Sequence, residues 1–97
     1  MILSSLAGGP KHGYALTKDI EAFAAVTLGP GTLYGALSRL ERRGLIEALA
    51  GDRRRRPYAL TDAGAELLRE RLAVQRRVVD VGLGRLAAGV GVGVVPA

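Results

Sequence analysis

The chain has 97 residues, a formal net charge of +5, no cysteine and a single histidine, and this length suits one small domain. These counts exclude disulfide bonds, thiolate zinc sites, cysteine nucleophiles and histidine metal clusters, so we expect no metal and no cofactor. No stretch approaches the ~20 apolar residues of a membrane span, and the first residues lack the basic region of a signal peptide, so we expect a cytoplasmic protein without membrane contacts.

Glycine and proline divide the first thirty residues into two predicted helices. Residues 2–7 form a short apolar helix that the Gly-Gly-Pro sequence at 8–10 ends. The second helix is expected over residues 11–25. Tyr14 and Lys18 lie four residues apart, so they project together from one face of this helix. Its core face consists of three apolar residues at helical spacing, Leu16, Ile20 and Phe23.

A third helix is predicted from Pro30 to Arg43, with Gly29 as its N-cap and Gly44 as the left-handed residue that ends it. Its core stripe consists of Leu33, Ala36, Leu37 and Leu40. The opposite face combines small residues, which allow close approach of a partner, with hydrogen-bond donors: Gly31, Thr32, Tyr34, Gly35, Ser38, Arg39 and Arg42. On an isolated helix, solvation would be the favoured explanation of the arginines.

A β-hairpin is predicted after the third helix. Residues 46–50 alternate in part between apolar and polar, residues 51–52 favour a turn, and residues 57–60 form the return strand. Pro57 has no amide to donate, which predicts a hairpin at the edge of any sheet. Tyr58 is expected to pack within the hairpin rather than to stack on a base.

Most of the positive charge lies in the middle third of the chain. Residues 31–60 contain seven arginines and three acids, a net charge of +4, whereas residues 1–30 are neutral. Four consecutive arginines lie at or beside the turn of the hairpin: Arg53, Arg54, Arg55 and Arg56. Neighbouring like charges repel one another, so this cluster favours contact with a polyanion such as nucleic acid, with solubility as the alternative.

A last helix is predicted after Thr61, which can cap it, with Asp62 in its first turn. One face of this helix has apolar residues at roughly helical spacing: Leu68, Leu72, Val79, Leu83 and Leu86. A second apolar stripe consists of Val74, Val78 and Val81. One small domain cannot cover both stripes, so residues 61–88 are expected to pair with a second copy of the chain. Residues 89–97 are expected to form a flexible tail.

The predicted elements define a mainly α protein with a small β-hairpin, in the order of a winged helix-turn-helix followed by a C-terminal dimerisation helix. In this module the second helix supports the third, which enters the major groove of DNA. Residues 1–60 are therefore expected to be the DNA-binding domain. The hairpin would be the wing.

An ordered set of motifs resembles the PadR family of transcriptional regulators. The motifs are His12-Gly13-Tyr14, the Leu-Gly-Pro-Gly-Thr-Leu-Tyr sequence at 28–34, Gly-Leu-Ile-Glu at 44–47, and the arginine run with Pro-Tyr and Leu-Thr-Asp-Ala-Gly at 53–64. The resemblance covers roughly residues 2–72. The resemblance implies a homodimeric repressor, of the short subtype with one C-terminal helix, released by a small molecule or a stress signal.

The resemblance also assigns roles to residues. It implies that Tyr14 and Lys18 contact phosphates, that Thr32, Tyr34, Ser38 and Arg39 belong to the recognition helix, and that the arginines from Arg53 form the wing. With Arg42 from the exposed helix face, the predicted DNA contacts are Tyr14, Lys18, Thr32, Tyr34, Ser38, Arg39, Arg42, Arg53, Arg54, Arg55 and Arg56. Tyr34 could equally pack against the body of the domain, and His12 is expected to form a local hydrogen bond at a helix start.

Two positions depart from the family pattern. Gly35 replaces a proline of many relatives, and Gly29 replaces a common serine. The chain has no tryptophan, which excludes a drug pocket of stacked tryptophans. A small apolar inducer would therefore contact valine, leucine and alanine at the dimer interface.

Three other functions can be compared with this prediction. An enzyme is not expected, because the acids are dispersed among arginines and His12 has no acidic neighbour in the sequence. A basic module that binds RNA or a protein remains an alternative, as does an oligomer without operator specificity. A DNA-reading dimer differs from both, since it should prefer an inverted repeat with half-sites about one helical turn, or a multiple, apart.

Overall fold

The computed structural model describes residues 1–51 and 56–89. Its elements are α1 (Ile2–Leu6), α2 (Gly13–Ala24), α3 (Pro30–Arg42), β1 (Ile46–Ala48), β2 (Tyr58–Leu60) and α4 (Asp62–Gly89). The predicted fold class, mainly helical with one hairpin, is therefore confirmed. The wing residues Arg53, Arg54 and Arg55 and residues 90–97 of the predicted tail lie outside the described residues.

The core consists of eight side chains. They come from α1, α2, α3, β1 and Leu45, the residue directly before β1. Leu16 and Ile20 of α2 are completely buried, and α3 contributes two leucines from its predicted core stripe. The full set is Leu3, Leu6, Leu16, Ile20, Leu33, Leu37, Leu45 and Ile46. Because Leu33 and Leu37 are one helical turn apart, their burial fixes which side of α3 faces the domain and which side faces outward.

Phe23 was expected in the core with Leu16 and Ile20, and this expectation is wrong. Its side chain is 52% exposed. Phe23 lies in the last turn of α2, where the neighbouring helices leave an open cavity that the ring lines. Helical spacing gives the direction of a side chain, whereas the covering of that direction depends on the other helices.

The second helix begins two residues later than predicted, because Lys11 is part of the sheet. Its amide donates to the Tyr58 carbonyl (3.1 Å), and the Tyr58 amide donates to the Lys11 carbonyl (2.8 Å). His12 then caps α2, since its Nδ1 accepts a hydrogen bond from the Ala15 amide at 3.4 Å. The expected local role of His12 is confirmed.

Strands β1 and β2 pair antiparallel, with Glu47 opposite Ala59. In the described residues the sheet has only these two strands, so β2 is an edge strand as the Pro57 position predicts, and Lys11 bridges to one residue of it, Tyr58. Pro57 precedes the bridged residue, and its carbonyl accepts from the Leu49 amide (2.8 Å). Pro57 has no N–H group to donate, but both hydrogen bonds of the bridge are made by Lys11 and Tyr58, so neither is lost.

The junction between the hairpin and α4 is held by Thr61. Its hydroxyl donates to the Gly44 carbonyl (2.7 Å) and accepts from the Gly64 amide (3.1 Å), which caps the helix as the sequence predicts. Gly44, with φ +74°, is the left-handed residue expected after α3. Thr61 therefore ties the end of α3 to the start of α4.

Candidate nucleic-acid interface

The outward face of α3 presents three predicted DNA contacts side by side. At about 100° per residue, Ser38, Arg39 and Arg42 fall within about 100° of one another, away from the buried leucines. All three are exposed. A methyl group built at Gly31 would meet no protein atom within 4 Å. The face is therefore exposed, with open space at Gly31, which suits insertion into a groove.

Tyr14 and Lys18 form a second predicted set on α2. The Lys18 ammonium lies 5.5 Å from the centroid of the Tyr14 ring, a cation–π distance, which confirms that the two side chains project together. Tyr14 is 69% exposed. An ammonium held beside a phenol at the surface can bind a phosphate oxygen.

Tyr34 packs against the body of the domain, one of the two outcomes left open by the sequence. Its ring lies over the first residue of α2, Gly13, and about half of the side chain remains exposed. Tyr14 and Tyr34 line the same cleft between α2 and α3, of about 230 Å³. The structure thus brings together predicted contacts that are 20 residues apart in sequence.

The wing contributes one described residue to the predicted set. Arg56 is exposed and precedes β2 by two residues. Its three neighbours in the run, Arg53, Arg54 and Arg55, lie outside the described residues. Arg56 therefore locates the C-terminal end of the arginine run beside the sheet.

A cavity of about 630 Å³ opens among α1, α2, α3 and α4. Apolar side chains such as Phe23, Leu28 and Leu72 line it together with Thr32, Arg39 and Arg43 of the α3 region. Sequence reasoning missed this cavity, because four segments distant in sequence form it. Phe23 is exposed because its ring lines this cavity.

Helix α4 leaves the domain after its first turns. Leu68 is half-buried against the core, whereas every residue from Arg69 to Gly89 is exposed. The other four predicted dimer residues are thus uncovered in the protomer: Leu72, Val79, Leu83 and Leu86. So are the three residues of the second stripe, Val74, Val78 and Val81.

The described residues also limit other site types. Over 1–51 and 56–89, no three histidine, aspartate or glutamate side chains are grouped so as to hold a metal ion. None of the helices in those ranges has both the length and the apolar character needed to cross a bilayer.

Helices α1 to α3 are followed by a two-stranded wing, and α3 presents an exposed face. These features define a winged helix-turn-helix protein. A sequence model of the PadR-like family of transcriptional regulators matches residues 2–70. The chain therefore belongs to this family, which is a class of transcriptional regulators and not of enzymes.

Solved structures give the same fold. A PadR family transcription regulator from Clostridium difficile R20291 is 29% identical, with a TM-score of 0.77 over 88% of this chain and 93% of that one. A transcriptional regulator from Clostridium thermocellum is 30% identical, with a TM-score of 0.72 over 82% and 83%. RosR from H. salinarum is 26% identical, with a TM-score of 0.71 over 92% and 90%.

A curated relative adds a difference in length. An uncharacterised 37.1 kDa protein of the transposon TN4556 from Streptomyces fradiae is 52% identical over 68 residues. The match includes 70% of this chain and 20% of that protein. The chain thus spans about one fifth of the length of this relative.

Proposed function

We propose that the chain is a sequence-specific regulator that binds double-stranded DNA as a homodimer in the cytoplasm and represses transcription until a small molecule or stress signal releases it. The observation that supports this best is the exposed face of α3 with Ser38, Arg39 and Arg42. A helix in the major groove reads base edges, and arginine can bond guanine bidentately while serine bonds several bases.

Phosphate contacts would position this helix on the duplex. Lys18 and Tyr14 project together from α2, and Arg56 precedes the wing strand β2 by two residues. Contacts of this kind fix orientation without reading sequence. Arg53, Arg54 and Arg55 extend the wing contact on the basis of the sequence, and Thr32 and Tyr34 would flank the reading face.

Dimerisation would pair the exposed stripes of α4. At about 100° per residue, the residues from Leu68 to Leu86 of the first stripe fall within about 60°, which is a narrow seam. Leu83 and Leu86 are more than 60% exposed in the protomer. Burial of these side chains against a second copy removes apolar surface from water and sets the two copies of α3 on one face of the duplex.

We infer repression from the resemblance to the family. The bound protein would repress by occupying a promoter. Release would use the cavity beside α3, where a small apolar molecule can contact Leu72 and Phe23 as well as Arg39. A ligand can shift the protein only if it prefers the conformation that does not fit DNA. The cavity supports this because its wall includes residues of both the reading helix and the dimer helix.

Fluorescence anisotropy tests the proposal. The purified protein is titrated into the duplex upstream of its own gene, a scrambled duplex and a single-stranded RNA of equal length, at several salt concentrations. We expect binding to the native duplex to be at least ~10³-fold tighter than to the scrambled one. Equal affinity for the two duplexes contradicts operator recognition, and preference for RNA supports the basic RNA-binding module instead.

A further inference from the structure

The contact between Gly13 and Tyr34 is possible only because residue 13 has no side chain. A methyl group built at Gly13 would overlap the Tyr34 hydroxyl and lie 2.9 Å from the ring carbon Cζ. Gly13 is buried, although it is the first residue of α2. The hydroxyl end of the Tyr34 side chain therefore occupies the space that a side chain at position 13 of the supporting helix would need.

The glycines of α3 itself do not have this constraint. A methyl group at Gly31 meets nothing within 4 Å, and one at Gly35 meets only the end of the Arg39 side chain at 3.5 Å. The close approach is thus a property of the junction between α2 and α3. A methyl group at Gly13 would require the end of the Tyr34 side chain to move.

The same junction is joined to the wing. Lys11 exchanges two main-chain hydrogen bonds with Tyr58 of β2, and His12 caps α2. Gly13 follows directly. Residues 11–13 therefore contact the wing on one side and, through Tyr34, the N-terminal half of α3 on the other.

Besides Tyr34, the buried Leu33 and the Leu28 amide, which donates to the Glu21 carboxylate (3.3 Å), hold the N-terminal end of α3 against the domain. Its N-cap, Gly29, supplies no side-chain hydrogen bond. Leu33 and Leu37 fix the inward face of α3, and Tyr34, beside Leu33, lines the cleft between this end of α3 and α2. A displaced ring would change the tilt of α3.

We propose that Tyr34 is a positioning residue: through its contact with Gly13 it sets the tilt of α3 relative to α2 and the wing, and thereby determines discrimination between DNA sequences. This inference rests on the proposed DNA-binding function. Tyr34 acts through the end of its side chain, the ring carbons Cζ and Cε1 with the hydroxyl, against Gly13, and not through a hydroxyl bond to DNA.

The test uses the full-length protein and measures its affinity for the upstream and the scrambled duplex. Gly13→Ala pushes on the ring, and Tyr34→Phe removes the hydroxyl that such a methyl group overlaps. Gly13→Ala combined with Tyr34→Phe tests for rescue. Gly8→Ala is the matched control, because a methyl group there makes only ordinary contacts of 3.5 Å.

We expect Gly13→Ala to lower the ratio of the affinity for the upstream duplex to that for the scrambled duplex about tenfold. An effect of this size is ordinary for two residues in contact. Tyr34→Phe should leave the ratio within about twofold, and its addition to Gly13→Ala should restore at least about threefold. A general loss of stability would reduce binding to both duplexes and leave the ratio unchanged.

A ratio for Gly13→Ala equal to that of Gly8→Ala, or no rescue by Tyr34→Phe, overturns the inference. If Gly13→Ala does not fold, Tyr34→Phe and Tyr34→Ala decide: a similar ratio in both variants overturns it, and a loss confined to Tyr34→Ala supports it. Absence of discrimination by the unmodified protein refutes the proposed function itself, which is a distinct outcome.

Discussion

Lys11 and Tyr58 exchange two main-chain hydrogen bonds, of 3.1 Å and 2.8 Å, across 47 positions of the chain. This pairing fastens the residue just before the cap of α2 to the wing strand β2. The supporting helix and the wing are therefore one unit. A force on the wing from a DNA backbone would be transmitted to the start of α2, against which α3 is packed through Tyr34.

The packing of Gly64 gives a prediction for stability. A methyl group at Gly64 would overlap the Leu45 carbonyl oxygen and lie 2.9 Å from Leu60 Cδ1. Because a carbonyl cannot rotate away as a side chain can, we expect Gly64→Ala to cost about 1–3 kcal/mol or more of unfolding free energy. Urea unfolding measures this.

Gly84→Ala is the control for the same change, since a methyl group at Gly84 meets nothing within 4 Å. It should stabilise α4 by about 0.5–1 kcal/mol through helix propensity. Equal effects of the two substitutions would contradict the described junction between β1 and α4.

A charge in the α4 seam should separate the dimer. Val79→Lys places an ammonium among Leu72, Leu83 and Leu86, which would be buried between two copies, and an unpaired buried charge is strongly unfavourable. Sedimentation velocity should show a shift from dimer to monomer. Ala73→Lys adds the same charge on α4 at least ~80° from either stripe and should leave the dimer intact. If the Val79→Lys variant dimerises as strongly as the unmodified protein, this stripe of α4 is not the dimer interface.

Removal of a phosphate contact should weaken binding to all sequences alike. For Lys18→Ala, we expect a similar loss of affinity for the upstream and scrambled duplexes, and a fall of about 0.9 in the slope of log affinity against log salt concentration. Anisotropy titrations measure both. Arg69→Ala removes one positive charge from an exposed ion pair with Glu66 on α4 and should leave the slope unchanged. A selective loss for the upstream duplex would instead assign Lys18 to base reading.

Removal of a base contact should reduce discrimination. Arg42→Ala is expected to lower the preference for the upstream duplex by about 1–3 kcal/mol, because a bidentate arginine–guanine pair is worth that much against a wrong base. Competition binding with single-base variants of the duplex locates the base involved. Arg77→Ala, an equal charge change on the exposed part of α4, should preserve the preference. Uniform weakening by Arg42→Ala would indicate a phosphate contact.

The sequence was sufficient for features that depend on local spacing. Leu33 and Leu37 fix the inward side of α3, and Gly44 and Thr61 mark helix boundaries through backbone conformation and capping. Such signals need only neighbouring residues. The elements and the exposed face of α3 could therefore be predicted in order.

Other features could not be predicted, because they depend on how distant segments meet. The exposure of Phe23, the bridge between Lys11 and Tyr58 and the contact of Tyr34 with Gly13 each require the relative placement of two or more elements. Hydrophobic periodicity contains no information on helix tilt. Glycines in the first turn of a helix, as at Gly13 and Gly64, are a local sign of such close packing.

Hydroxyl-radical footprinting of the protein on its upstream duplex tests the central claim most directly. A homodimer with two copies of α3 in successive major grooves should protect two equivalent half-sites about 10 base pairs, or a multiple of that, apart, related by a two-fold axis. Protection of one unpaired segment, or uniform weak protection without symmetry, would contradict an operator-reading dimer.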